Sequence, residues 1–155
     1  MRFYKLLILF FTIVVISACN NNKSENNNSK TNKEKTIDTI AVYRNCMDIA
    51  NKWLQYVDNR KHIESYSLSS SMFKKSGSID DWEIAINSFE TAYGKIKKRK
   101  LLEIKLDTIL PNAPKGKYVI IKFITESEKV PIFRERVVLV RDADSNWNIT
   151  GYFPE

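Results

Sequence analysis

The chain has 155 residues, with 25 Lys and Arg against 18 Asp and Glu, a formal net charge of +7 and 12% aromatic residues. From residue 37 onward, length and aromatic content suit one compact domain that buries roughly two thirds of the surface its unfolded chain would expose. Two cysteines and one histidine exclude a scaffold of several disulfides and cannot furnish a transition-metal shell without several carboxylates.

Arg2 and Lys5 flank the start of an uncharged run, Leu6 to Ile16, in which Thr12 is the one polar residue; Ser17, Ala18 and Cys19 follow. Eleven helical residues reach about 16 Å, short of the roughly 30 Å hydrocarbon core, so the run reads as a secretory signal peptide and not as a permanent span. Ile16-Ser17-Ala18-Cys19 resembles the lipobox of bacterial lipoprotein signal peptides. The resemblance implies a diacylglycerol thioether on Cys19, cleavage before it and acylation of the new amino terminus. Several acyl chains, at about 0.8 kcal/mol per buried methylene, hold a protein on a membrane where one short chain does not.

Residues 1–18 are therefore expected to be a lipoprotein signal peptide and Cys19 the lipidation site, placing the protein in the cell envelope, outside the cytoplasm. Asn20 to Ser24 carries no acidic residue of the kind that follows the cysteine in some exported lipoproteins, which favours a periplasm-facing domain. Asn20 to Lys35 contains no apolar residue. It cannot offset the entropy of ordering by burial, and residues 19–36 are expected to be a lipidated cysteine followed by a disordered tether.

Residues 37–155 read as a single globular domain. Ile40, Tyr43, Cys46, Met47, Ala50, Trp53, Leu54 and Val57 recur at spacings of three and four, predicting a long amphipathic helix with Asp38 or Thr39 as its N-cap. Cys46 lies in the apolar stripe and is expected to be a buried, inert thiol. Asp58 to Arg60 breaks the pattern, and Ile63 to Phe73 reads as a shorter helix. Ser78-Ile79-Asp80-Asp81 has the form of a capping box, and Ile79, Trp82, Ile86, Phe89, Tyr93 and Ile96 mark one face of a third helix. Gly94 suits its left-handed C-terminal residue, and Lys95, Lys97, Lys98, Arg99 and Lys100 fall where a helix end favours positive charge.

The period then changes to two. Leu102, Ile104 and Leu106 alternate with Glu103, Lys105 and Asp107, as in a strand with one buried face. Tyr118 to Thr125 is almost continuously apolar, Phe133 to Val140 forms a third strand, and Trp147 to Phe153 a fourth. Asp142 to Asn146 is the hairpin turn between the last two, and Pro111, Pro114 and Gly116 mark the connection after the first. The fold class is α+β: three N-terminal helices packed on a curved antiparallel four-stranded meander sheet, which can leave a pocket at one end.

Chemical motifs are sparse. A serine, histidine and acid triad would depend wholly on His62, between two helices, and the serines at 65, 67, 69, 70 and 71 read as helix-end and surface residues. Asp142-Ala143-Asp144-Ser145-Asn146 begins like a calcium loop, but Trp147 stands where that loop needs glycine and Phe153 where it needs glutamate, so it reads as a turn. The basic run at residues 95–100 reads as a solvated helix end, with attraction to anionic headgroups as a second reading. No recognition motif for nucleic acid accompanies it.

Trp53-Leu54 with Asp58, Ser65 and Tyr66, then Phe73, Trp82, Gly94 and Arg99, then Pro111, Pro114, Gly116 and Tyr118, then Glu135, Trp147 and Gly151-Tyr152-Phe153 together resemble domain of unknown function 4019. The resemblance spans residues 41–155. It implies small secreted or lipid-anchored bacterial proteins with a layout similar to the cone-shaped nuclear-transport-factor-2-like fold, which hosts both enzymes and passive binding modules. The chain departs from the pattern at Tyr66, where tryptophan is commoner, and at Ser145-Asn146, where glycine is usual.

Among the matching positions, Asp58, Arg99 and Glu135 are charged, and Trp53, Trp82, Tyr118, Trp147 and Tyr152 are aromatic. They are candidates to line a pocket mouth, against an alternative in which the aromatics are core and the charges a structural network. The expected function is that of a lipid-anchored, noncatalytic extracytoplasmic module binding an envelope protein or a small ligand, with the membrane as partner through Cys19. The alternative is an enzyme in which Asp58 or Glu135 is a general base in an apolar pocket and a tyrosine holds a developing oxyanion. No cofactor, metal site or nucleic-acid partner is expected.

Overall fold

The computed structural model describes residues 25–155, with side chains from residue 38 onward. The expected signal peptide and Cys19 lie outside the described residues. Thr36–Glu155 form one compact unit, and no helix among the described residues is long and apolar enough to cross a membrane.

Helix α1 (Glu25–Asp58) begins inside the segment expected to be a disordered tether. Extending an existing helix fixes one residue per hydrogen bond gained, far less demanding than nucleation, so a polar sequence can continue a helix nucleated beyond it. In the compact unit its apolar stripe is buried from Cys46 onward, with Cys46, Ala50 and Trp53 fully enclosed and Leu54 and Val57 nearly so, while Tyr43 and Met47 are partly buried and Ile40 is 51% exposed.

The second predicted helix is two. Short helices α2 (His62–Ser67) and α3 (Ser71–Ser76) are separated at residues 68–70. The Ser70 amide donates to the Ile149 carbonyl at 2.7 Å, and the Ser70 hydroxyl accepts from the Phe73 amide at 3.1 Å. Leu68 closes α2, and Ser70 caps α3 and ties its start to the sheet. Helix α4 (Ile79–Tyr93) starts with the predicted capping box, Ser78 and Asp81 exchanging side-chain and backbone hydrogen bonds.

Gly94, at φ 70°, turns the chain directly into strand β1 (Ile96–Asp107). The basic run Lys95 to Lys100 therefore lies chiefly on a strand and not at a helix end: pairing of its backbone with β2 decides its conformation, and its side-chain charge does not. With β2 (Tyr118–Ser127), β3 (Phe133–Arg141) and β4 (Trp147–Pro154), β1 forms an open, curled antiparallel sheet in the order β1-β2-β3-β4. The helices cover one face. Val119, Ile121, Phe123, Val137, Leu139, Trp147 and Ile149 meet Trp53, Leu54, Val57 and Ile86 there in the main core. On the other face Tyr118, Ile120, Val138 and Val140 are covered by Leu110 and Ala113 of the β1–β2 connection.

Three register shifts interrupt the sheet, one of them at Lys97 near the start of β1, and the other two set which side chains reach the helices. Leu101 faces Phe123 and Glu103 faces Lys122, leaving Leu102 unpaired, and in β4 Thr150 is left unpaired between Ile149 and Gly151. An unpaired residue exchanges the faces of everything beyond it. Odd-numbered Arg99 and even-numbered Ile104 thus share the helix side, as do Ile149 and Tyr152. The first strand departs from expectation in part for this reason: unpaired Leu102 remains 53% exposed while Ile104 packs on the core, and Leu106, on the same face as Ile104 but next to the end of the strand, is 43% exposed.

Candidate functional site

Asp58 is the last residue of α1, a position where the partial negative charge of the helix terminus opposes an acid. Arg99, brought to the helix side by the β1 bulge, offsets both charges. Its Nη1 and Nη2 donate to Asp58 Oδ2 and Oδ1 at 2.5 and 2.8 Å. On its other side, Nε and Nη2 donate to Glu135 Oε2 and Oε1 at 2.6 and 3.1 Å. Glu135 is on β3 and is 0% exposed. Its remaining acceptor capacity is taken by the Thr125 hydroxyl of β2, which donates to Oε2 at 2.5 Å, and by the Tyr152 hydroxyl of β4, which donates to Oε1 at 2.5 Å.

Every strand thus contributes one residue to a single network closed by the end of α1. Burial opposes the charge on Arg99, but the hydrogen bonds and charges of Asp58 and Glu135 outweigh it and raise the guanidinium pKa above its ordinary value. Burial, reinforced by the adjacent Glu135 carboxylate, raises the Tyr152 hydroxyl well above the usual phenol range. Tyr152 is therefore a fixed donor.

Above this network lies a line of aromatic rings. Trp53 stands 5.4 Å from Tyr152 and 5.3 Å from Trp82 between ring centroids, and Phe89 lies 5.6 Å from Tyr152. Phe89 stacks on Tyr93 at 4.7 Å, and Phe73 meets Trp82 edge-on at 5.2 Å. The tryptophans are held by serines. Trp53 Nε1 donates to the Ser65 carbonyl at 2.9 Å and to Ser69 Oγ at 3.2 Å, and Trp82 Nε1 donates to Ser65 Oγ at 2.9 Å. Ser65, Ser69 and Ser70, read from sequence as helix-end and surface residues, are buried. Unpaired indole N–H groups in a core demand acceptors, and these supply or position them.

Two grooves flank the network. One, of about 410 Å³, runs between α4 and β4 and is mostly apolar, with Val57, Trp82, Phe89, Tyr93, Tyr152 and Pro154 among its walls. Ala85, Ser88 and Ala92 keep the α4 wall low. The other, of about 360 Å³, lies between α1 and β1, lined by Asn51, Leu54, Gln55, Asp58 and residues 96–99.

Of the candidate positions, Asp58, Arg99, Glu135 and Tyr152 are brought into one network, and Trp53 and Trp82 adjoin it. Two are not. Tyr118 is buried on the opposite face of the sheet, its hydroxyl donating to the Pro114 carbonyl at 2.6 Å; its even position on an unbulged strand puts it there. Trp147 is in the main core. Thr125 was missed, because a threonine in an apolar strand carries no signal by itself; its parity with Phe123 and Ile121 was the available clue. His62 faces Glu83 at 3.4 Å, and its carbonyl, not its ring, accepts the Ser65 hydroxyl at 3.1 Å. No group of acids, cysteines and histidine able to hold a metal occurs among the described residues.

Residues 49–152 match the family described as "Protein of unknown function (DUF4019)". The chain belongs to this family. The matched span runs from α1 through Tyr152, so every member of the network falls within DUF4019. No curated protein matches the chain. A solved 2.5 Å structure from Catenulispora acidiphila is similar in fold, with a TM-score of 0.50 and 15% identity over 76% of this chain and 93% of that one. Identity this low speaks for the fold of this DUF4019 chain alone.

Proposed function

We propose that this DUF4019 protein is a lipid-anchored, extracytoplasmic, noncatalytic binding module that takes a small apolar ligand into the groove between α4 and β4. The observation that carries this reading is the state of Glu135 at the base of the aromatic line. A carboxylate offers about four acceptor sites, and Arg99, Thr125 and Tyr152 engage Glu135 with four hydrogen bonds. A general base needs an accessible acceptor within reach of a substrate proton. Glu135 has none to spare, and the Tyr152 hydroxyl already donates its hydrogen bond to that carboxylate. A groove of about 410 Å³ with few polar groups favours retention of an apolar molecule over chemistry on it.

The address rests on the charged start, the short apolar run and Cys19. The helices packed over one face of a curled sheet are compatible with the cone-shaped fold suggested by the resemblance.

Native mass spectrometry on the full chain, solubilised from membranes in mild detergent, tests the ligand. A mass excess lost on denaturation, and reduced in an Ala85→Leu variant that fills the groove, is expected; a well-folded protein with no excess and no uptake of a fluorescent apolar probe overturns the ligand. Fractionation of a Cys19→Ala variant, with labelled fatty acid fed to cells making the wild type, tests the anchor separately. Membrane association without Cys19 and no label in the wild type defeats it.

A further inference from the structure

Strand β1 is an edge of the sheet, and alternate backbone N–H and C=O groups of an edge strand point away from it, ready to pair with another chain. The two halves of this edge differ. In the half after the Leu102 bulge, the Leu106 amide is already taken: it donates to the Tyr43 hydroxyl of α1 at 3.1 Å. In the half from Ile96 to Leu101, which carries its own register shift at Lys97, no outward backbone group has a partner among the described residues, and the groove of about 360 Å³ opens alongside it. Asn51 and Gln55, one turn apart on α1, form the opposite wall, and their side-chain amides can both donate to and accept from a peptide backbone.

The charge of this half is distinctive. Lys97 and Lys98 line the groove and Lys100 follows; all are exposed, and none has an ion-pair partner among the described residues, whereas Lys105 and Lys122 farther along pair with Asp107 and Glu103. Asp58, the one acid in the groove lining, is bound by Arg99 through two hydrogen bonds. The free charge facing an incoming chain is therefore positive.

We propose that the open half of β1 is a docking edge for an extended acidic segment of a partner protein, which adds as a fifth strand between β1 and the α1 face that carries Asn51 and Gln55. Main-chain hydrogen bonds supply affinity in such strand addition, and side chains select the partner. Acidic residues at alternate positions would meet Lys98 and Lys100, with Lys97 beside them at the register shift. A second copy of this chain does not fit, because its own lysines would face these across the new ladder, and like charges directly opposite are destabilising. The chain's own segment 20–35 does not fit either, with Lys23, Lys30, Lys33 and Lys35 against Glu25 and Glu34.

The probes are three fluorescently labelled heptapeptides, titrated against the full chain in detergent by fluorescence anisotropy: alternating Val and Glu, alternating Val and Lys, and the Val and Glu peptide with two valines replaced by proline. The acidic peptide is expected to bind at least tenfold more tightly than the lysine peptide. It should also beat the proline peptide by a similar factor, since proline keeps the charge but removes ladder donors. A K97E/K98E variant, altered only at exposed positions, should lose the acidic peptide and gain the lysine one. Equal binding of the acidic and proline peptides would reduce the edge to nonspecific electrostatics and overturn strand addition. Unchanged binding by K97E/K98E, or no binding of the acidic peptide to wild type with a native circular dichroism spectrum, would overturn the site.

Discussion

Arg99 and Glu135 stand on strands that do not touch: β2 lies between β1 and β3, and the guanidinium reaches over Thr125 to bond both oxygens of the buried carboxylate. A bond across an intervening strand fixes the curl of the sheet at that point as well as the charge balance. Removing Arg99 leaves the buried Glu135 carboxylate without a counter-ion, whereas removing Glu135 leaves Arg99 with Asp58.

Arg99→Leu is expected to destabilise the fold by about 3–5 kcal/mol, because it strands the buried Glu135 carboxylate, and Glu135→Leu by less, because Arg99 keeps Asp58 as a counter-ion. The double variant should cost clearly less than the sum of the two, with a coupling of at least about 1 kcal/mol by urea denaturation. Asp58→Asn, at the more exposed end of the network (27% of its side chain), should cost about 1 kcal/mol or less. Additive losses for Arg99 and Glu135 would show that the two do not act as a pair.

Cys46 gives a dependence on alkaline pH. Burial pushes its thiol up to about 12 from an ordinary 9.0. The unfolded chain therefore releases this proton first, so the stabilising contribution is complete below about pH 9 and lost as pH rises toward 12. Urea midpoints from pH 8 to 11 should fall more steeply for wild type than for Cys46→Ala, and a thiol reagent should reach Cys46 only as the protein unfolds. Parallel pH profiles for the two proteins would remove the thiol from the account.

Gly94→Ala should cost about 1–3 kcal/mol. The backbone at φ 70° disfavours any side chain, and an added Cβ would lie 3.0 Å from Glu128 Cβ and 3.2 Å from Lys129 Cγ. The loss is read as a lower thermal midpoint with an unchanged circular dichroism spectrum; a neutral result would mean that the turn from α4 into β1 relaxes freely.

Ser65→Ala removes the acceptor for the Trp82 indole while leaving the Ser65 carbonyl for Trp53. A cost of about 1–3 kcal/mol is expected for the donor left unpaired, with a red shift of tryptophan emission. No change in emission would separate Ser65 from the seating of Trp82.

Periodicity disclosed the long helix, the third amphipathic helix and the four-strand meander, because each buries one face against a common core. It failed where local hydrogen bonding overrides pattern. Ser70 splits a helix that its apolar neighbours suggest is continuous, and Gly94 delivers a lysine-rich stretch into a strand. Asp58, Arg99, Glu135 and Tyr152 were visible as matching positions, but their convergence was not, since it depends on which strand face each occupies. Thr125 carried no signal and Ser65 only that of a matching position, because a hydroxyl announces its role only through the partner that tertiary structure brings to it.

Leu102 and Thr150 act on their strands as an inserted letter acts on a reading frame. Had either residue never been inserted, the ladder on both sides could close without a break, yet Arg99 and Ile104, or Ile149 and Tyr152, would fall out of phase and point to opposite sides. The network is thus encoded partly by strand length. Among DUF4019 chains, losing one residue at either point would be more disruptive than losing two, and a gain elsewhere in the same strand could restore the phase. The identity of the unpaired residue matters less than its being there to be counted.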